Sequence, residues 1–535
     1  MVLTKGLCKG INPYIVIISL AVIFTFILYT LLLPEQSATI IDAARTLITL
    51  TASSWYVTLA GGFLVFCIWI TFSRYGNIRL GDDNEKPEFS FFAWFAMVYA
   101  AGQGIGIIFW SIAEPMFHFS SGTPFSAAVG DAEAAEVAMK VTFFHWGFNA
   151  WAIYCVVGLA LAFVSYRLKK PLSIRYTLYP LLGDRVDGWI GVLVDIIAVF
   201  ATLFGIATSL GLGVQQINAG LNAIWDVPQN TSIQLLLVVV ITLCALISVL
   251  TGLKRGIKYL SISNMWLTLL LLGFFIIFGP TLYILNLLYG VSIDYIVDLV
   301  SMNIFLEEPT QSIGDADASW KSMWQGWWTV FYWGWWMSWA PFVGVFVARV
   351  SRGRTIREFV LGVVGASSLL SFVWLAAYGG TALNIDLFGN GTIAEAVSNN
   401  VATALYATFD GMNLGTLGDM AAIAGTLLVA SYFITSSDSG TLVLTTIMSE
   451  GNQHPLKRHR TFWGVMQGVV AAVLLVAGGS AALSTLQTAS IIAALPFSVL
   501  MVLMCVALIK GVRQEYKRME SATLAGKVPA GELPR

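Results

Sequence analysis

Residues 327–346 carry Trp327, Trp328, Trp333, Trp335, Trp336 and Trp339, then Phe342 and Phe346, and an earlier stretch carries Trp146, Trp151 and Tyr154. At about 100° per residue these last three fall within roughly 140° of one helix face, so they can line one cavity. The π faces of several indoles can hold a cation, and desolvation raises each contact to about 2 kcal/mol or more. A quaternary ammonium, which has no hydrogen to donate, is the ligand that such a cage suits. Aromatic packing is the competing reading, and residue types alone leave both open.

A second group offers oxygen. Tyr432-Phe433-Ile434-Thr435-Ser436 is followed by Ser437, Asp438 and Ser439. Adjacent hydroxyls and a carbonyl one turn earlier can bind sodium together with carbonyls of a broken helix, as discontinuous transporter helices do. The same hydroxyls can instead bond back to their own helix carbonyls. The break itself has a candidate in Gly102-Gln103-Gly104-Ile105-Gly106, upstream of Trp110, Glu114 and Pro115. Alternate glycines permit an unwound stretch lining a protein cavity, or close helix packing through small residues. Glu114, His118 and His145 invite an acid/base or metal reading. His118 follows Glu114 by one turn, but the spacing supplies no third ligand, and a histidine beside Trp146 reads as a structural hydrogen-bonding residue.

These groups need rigid elements, and the composition names them. Of 535 residues 57% are hydrophobic and 11% charged, and apolar runs of about 20 residues recur from end to end, which excludes a soluble domain and any nucleic-acid partner. The spacing predicts an all-α polytopic membrane protein of twelve spans. They fall near Tyr14 to Leu33, Trp55 to Phe72, Phe91 to Phe117, Val141 to Tyr166, Trp189 to Ala219 and Ile233 to Leu250. The second half supplies Ile262 to Leu287, Trp327 to Val350, Phe359 to Tyr378, Ala421 to Met448, Trp463 to Val476 and Ile491 to Ile509. One membrane domain covers 1–535: a cytoplasmic N-terminus over 1–13, the bundle over 14–511 and a short basic tail over 512–535. The first run follows Lys5, Lys9 and Pro13 and lacks a small-residue cleavage site, so it reads as an anchor. Ile293, Ile296, Val297, Val300 and Ile304 oppose Asp294, Asp298 and Ser301 at helical spacing, as expected of a helix lying in the membrane interface. Cys8, Cys67, Cys155, Cys244 and Cys505 show neither metal-ligand spacing nor a disulfide pattern.

Basic residues fix the orientation. One set of loops and ends holds Lys5, Lys9, Arg74, Arg79, Lys86, Arg167, Lys169, Lys170, Arg175, Arg185, Lys254, Arg255, Lys258, Arg349, Arg352, Arg354, Arg357, Lys457, Arg458, Arg460 and every basic residue from Lys510 onward. Arg45, Lys140 and Lys321 stand opposite. This bias places both termini in the cytoplasm. Arg513, Lys517 and Arg518 could touch anionic membrane lipid, although the same bias already accounts for them.

The ordered motifs Gly102-Gln103-Gly104-Ile105-Gly106, Ala113-Glu114-Pro115 and His145-Trp146-Gly147 resemble the betaine/choline/carnitine transporter family. Tyr332-Trp333-Gly334-Trp335-Trp336-Met337-Ser338-Trp339-Ala340-Pro341-Phe342 and Ala348-Arg349-Val350-Ser351-Arg352-Gly353-Arg354 carry the resemblance furthest. It implies a bacterial inner-membrane transporter, usually a homotrimer, of the leucine-transporter type, with helices 3–7 and 8–12 as inverted repeats. It implies a substrate cage of Trp146, Trp151, Tyr154 and Trp336 beside Gly102, Gly104 and Gly106, and a cytoplasmic route along Trp335, Trp339, Phe342 and Phe346. Sodium would meet the carbonyls of Ala100, Gln103 and Tyr432 and the hydroxyls of Thr435 and Ser436. Gly106, where proton-coupled choline members tend to carry Asp, favours sodium and a carboxylated substrate. Thr202 marks a possible second sodium site, but Ile206 stands where sodium-coupled betaine carriers place another threonine, which leaves the stoichiometry open. The expected function is sodium symport of an onium solute, glycine betaine first, with choline, carnitine or dimethylsulfoniopropionate as alternatives. No enzymatic activity, no bound cofactor beyond coupling sodium and, given short chain ends, only weak osmotic gating are expected.

Overall fold

The computed structural model describes residues 2–3, 6, 9–251, 256–312, 315, 317–389 and 391–524. Lys5, Cys8, Lys254, Arg255 and the tail beyond Leu524 lie outside them. The longer helices, numbered here in chain order, are α1 Pro13–Leu32, α2 Pro34–Phe72, α3 Phe91–Ser121, α4 Ala132–Trp146 and α5 Phe148–Ala162. They continue as α6 Trp189–Trp225, α7 Thr231–Thr251, α8 Gly256–Phe278, α9 Thr281–Ile304 and α10 Thr329–Val350. The last four are α11 Ser367–Phe388, α12 Thr416–Met448, α13 Lys457–Gly478 and α14 Ala482–Leu524. The protein is an all-α polytopic membrane protein.

Local chemistry sets many of the helix starts. Asn12 accepts the backbone N–H of Tyr14 with Pro13 at the first helical position, and Asp131 accepts that of Ala134 at 2.8 Å. Thr355 and Glu358 form a reciprocal capping box before the π-helical turn Leu361–Ala366 that leads into α11.

Eleven helices among the described residues are long and apolar enough to cross a membrane. Compared with the twelve expected, two drop out and one enters. Ile262–Phe278 in α8 is shorter, because the seventh span stops at Phe278 instead of continuing to Leu287. Pro280 ends that path and caps a separate helix, α9, which enters the set. The other omission is α10, in which indoles replace the aliphatic residues that raise hydropathy. Its 22 residues still reach about 33 Å at 1.5 Å per residue.

The helix α9 contains the apolar stripe read from the sequence. Ile296, Val297, Val300 and Ile304 are all exposed, while Lys140 of α4 pairs with Asp298 at 2.5 Å.

The core is built around three elements: α10 packs on α5, α6 and α14, α12 packs on α6 and α7, and α3 packs on α4 and α11. Charge gathers at one end of the bundle. Arg167 pairs with Asp83 and Glu515, Arg352 with Glu85, and Arg175 with Asp195 at 2.6 Å. Lys169 meets Asp82 at 2.9 Å, and this hydrogen-bonded ammonium holds the Asp82 carboxyl below its ordinary range. Glu515 and Arg518 sit on α14, which continues as helix through residues expected to form the tail.

Candidate functional site

The third span is broken where the glycine run predicts it. Gly104 has φ +53° and ψ −146° inside α3, a backbone state that side chains disfavour. Its neighbours serve the other reading. A Cβ on Gly102 would collide with the ring of Trp151, and one on Gly106 would sit 2.5 Å from Trp335 and 3.2 Å from Trp146. One break and two close approaches therefore place three indoles directly against the α3 backbone.

The fourth span is broken as well, which the sequence reading did not anticipate. α4 ends at Trp146 and α5 starts at Phe148, with Gly147 at φ −96° and ψ −133° between them. The one-face argument for Trp146, Trp151 and Tyr154 assumed a continuous helix, so it does not hold as made. The three still converge, because the break turns Trp146 towards α10. The structure shows why glycine stands at the break: a Cβ on Gly147 would meet the Phe143 carbonyl at 2.5 Å and the ring of Phe372 at 2.7 Å.

The rings form a buried cluster. Trp336 lies 4.8 Å from Trp146 and 6.0 Å from Tyr154, centroid to centroid and edge to face, and Tyr154 lies 5.9 Å from Trp151. All four are at most 2% exposed. Their polar atoms divide into two kinds. Trp146 Nε1 donates to Glu114 Oε2 at 2.7 Å and Trp336 Nε1 to the His145 carbonyl at 2.9 Å. Among the described residues, Trp151 Nε1 and the Tyr154 hydroxyl have no hydrogen-bond partner.

Glu114, His118 and His145 are brought together, which spacing along the chain did not reveal. Their ligand atoms lie within 4.8 Å of one another. His145 Nδ1 stands 2.6 Å from Glu114 Oε1, His145 Nε2 stands 3.1 Å from Thr329 Oγ1, and His118 Nε2 lies 3.4 Å from Glu114 Oε1. Both ring nitrogens of His145 and both oxygens of Glu114 thus have partners, Trp146 of the aromatic wall among them.

The oxygen-rich group opens on a cavity of about 370 Å³, lined by Ala100, Tyr432, Thr435, Ser436, Phe342 and Phe346 together with Asn264, Thr268 and Trp374. The Thr435 hydroxyl donates to the Ser431 carbonyl at 2.8 Å and accepts Asn264 Nδ2 at 2.9 Å, so the back-bonding reading describes it here, with one lone pair to spare. Ser436 Oγ lies 3.6 Å from the Cβ position of Gly104. The Gln103 side chain turns away to Ser371 at 2.5 Å.

Trp335 and Trp339 lie outside the cavity lining, held by Ser209 Oγ at 3.2 Å and the Gly205 carbonyl at 2.7 Å respectively. Thr202 is fully buried with its hydroxyl unpartnered among the described residues, and Ile206 packs where a Cβ of Gly440 would stand. Asn264 and Thr268, the latter 3.0 Å from the Tyr432 hydroxyl, were missed, because they come from α8, whose sequence is plainly apolar.

A family model described as betaine/carnitine/choline family transporter (BCCT) matches residues 14–517. The chain belongs to this family. Among curated BCCT relatives, a probable glycine betaine transporter of Desulfitobacterium hafniense is 42% identical over 96% of this chain and 100% of its own. The glycine betaine transporter OpuD of Bacillus subtilis is 40% identical over 94% and 95%. An ectoine/hydroxyectoine transporter of Virgibacillus pantothenticus is 38% identical over 95% and 98%. These BCCT proteins are transporters, not enzymes, so the Glu114 group belongs to a transport protein.

Proposed function

We propose that the protein is a sodium-coupled symporter that imports glycine betaine or a similar onium solute across the bacterial inner membrane by alternating access. The carrying observation is the convergence of Trp146, Trp151, Tyr154 and Trp336 on the broken α3, one turn from a cavity that reaches Thr435 and Ser436. The names of the relatives support the substrate class.

The cage faces are in mutual contact, so an onium head must part Trp336 from Trp146, and each desolvated cation–π contact returns about 2 kcal/mol. Trp151 Nε1 and the Tyr154 hydroxyl are donors suited to the carboxylate end. Sodium, as co-substrate, would meet the hard oxygens of Thr435 and Ser436 with the carbonyls of Ala100, Gln103 and Tyr432. One charge crossing 100 mV contributes about 2.3 kcal/mol, enough to concentrate an uncharged zwitterion. The cavity along Phe342 and Phe346 would be the cytoplasmic route, and the basic residues at that end of the bundle support cytoplasmic termini.

Twelve spans in two inverted repeats agree with reciprocal packing: α3 against α11 and α10 against α5 exchange places under such symmetry. A homotrimer would be one way to cover the exposed apolar stripe of α9, and membrane lipid another. Thr202 as part of a second sodium site would need a partner other than Ile206.

An ectoine-type substrate is the second reading, favoured by the ectoine/hydroxyectoine relative. Uptake of radiolabelled glycine betaine into proteoliposomes, with an inward sodium gradient and unlabelled ectoine, choline and carnitine as competitors, tests the proposal. Sodium-driven accumulation that unlabelled betaine blocks best is expected. Accumulation with a proton gradient alone would overturn the sodium site.

A further inference from the structure

The walls of the cage differ in how they are held, and the difference points to residues outside it. Trp146 and Trp336 meet edge to face at 4.8 Å, a contact whose angle depends on where each indole's polar edge is tied. Both edges are tied to one buried unit. Glu114 Oε2 accepts Trp146 Nε1–H at 2.7 Å, and the backbone carbonyl of His145 accepts Trp336 Nε1–H at 2.9 Å. The same Glu114, through Oε1, meets His145 Nδ1 at 2.6 Å, and Thr329 at the start of α10 meets the other side of that ring. Glu114, His145 and Thr329 are at most 1% exposed. One proton between Oε1 and Nδ1 satisfies this pair whichever atom carries it, and in both arrangements Oε2 is left to accept the indole.

We infer that Glu114 is a positioning residue for the onium cage, its side chain fixing the Trp146 ring and, through His145, the wall that Trp336 completes. This rests on the reading of Trp146 and Trp336 as the onium site. The role asks for reach and acceptor geometry and not for charge. It therefore separates two conservative variants that a charge role would rank in the opposite order. Glu114→Gln keeps the length, offers a carbonyl oxygen to Trp146 and an amide N–H to His145. Glu114→Asp keeps the carboxylate but withdraws it by one carbon from both partners.

The experiment is equilibrium binding of radiolabelled glycine betaine to purified wild type, Glu114→Gln and Glu114→Asp in sodium, repeated in a Trp146→Phe background that has the ring face but no N–H. The inference expects Gln to stay within about threefold of the wild-type Kd and Asp to weaken it by about tenfold or more, as leaving the buried Trp146 indole N–H without its acceptor implies. In the Trp146→Phe background the gap between Asp and Gln should narrow by about threefold or more, since one of the two bonds that distinguish them is gone while that to His145 remains. Asp binding better than Gln, or an unchanged gap in the Trp146→Phe background, would overturn it. Failure of the wild type to bind any onium compound would instead remove the cage reading on which it rests.

Discussion

The cage, apart from Trp151 against Gly102, lies beyond Gly104 and the hydroxyl site before it, and the two are built in opposite ways. Beyond the break, every residue from Ile105 to Met116 is buried, and the indoles of Trp146, Trp335, Trp336 and Trp339 all donate to fixed acceptors. Before it, Phe95, Ala96, Met97, Tyr99 and Ala100 face a cavity of about 370 Å³, and Thr435 is tied to its own helix and to Asn264 of α8. A packed aromatic wall can discriminate one cation by shape, whereas oxygens beside a cavity can change ligands without repacking a core. Under the proposed function, this division would place selectivity on one side of the break and coupling on the other.

Loss of a cage ring should have the largest effect. Trp336→Ala removes a ring in contact with both Trp146 and Tyr154, and betaine Kd is expected to rise by about a hundredfold or more, measured by radioligand binding in sodium. A retained isotherm would place selectivity elsewhere. Gly102→Ala comes next. Its Cβ would collide with Trp151, so betaine affinity should fall by about tenfold while sodium dependence persists, consistent with overpacking of a dense core.

On the coupling side, Thr435→Ala is expected to raise the sodium concentration for half-maximal uptake by about tenfold, with betaine Kd little changed at saturating sodium. Equal damage to both would dissolve the division. The smallest effect is expected of Asn264→Ala, which removes one hydrogen bond to Thr435 and should shift half-saturating sodium by about two- to threefold.

How much of this was legible follows from separation along the chain. Gly104, a break signalled by its own neighbours, was visible in the sequence, and so was the concentration of indoles over 327–339. Gly147 was not, because a single glycine between aromatics carries no period. The meeting of His145 with Glu114 joins residues 31 apart, and that of Asn264 with Thr435 joins residues 171 apart. Such contacts are properties of helix packing, which residue types constrain but do not specify. The seventh span was drawn too long because apolar residues continue past Pro280, and only the proline distinguishes α8 from α9.

The most direct test of the central claim is scintillation-proximity binding of radiolabelled glycine betaine to the purified protein, in sodium and in potassium, for wild type and Trp336→Ala. The account predicts saturable wild-type binding that is far tighter in sodium and lost in Trp336→Ala. Equal affinity in both ions would contradict sodium coupling, and undiminished binding by Trp336→Ala would contradict the cage.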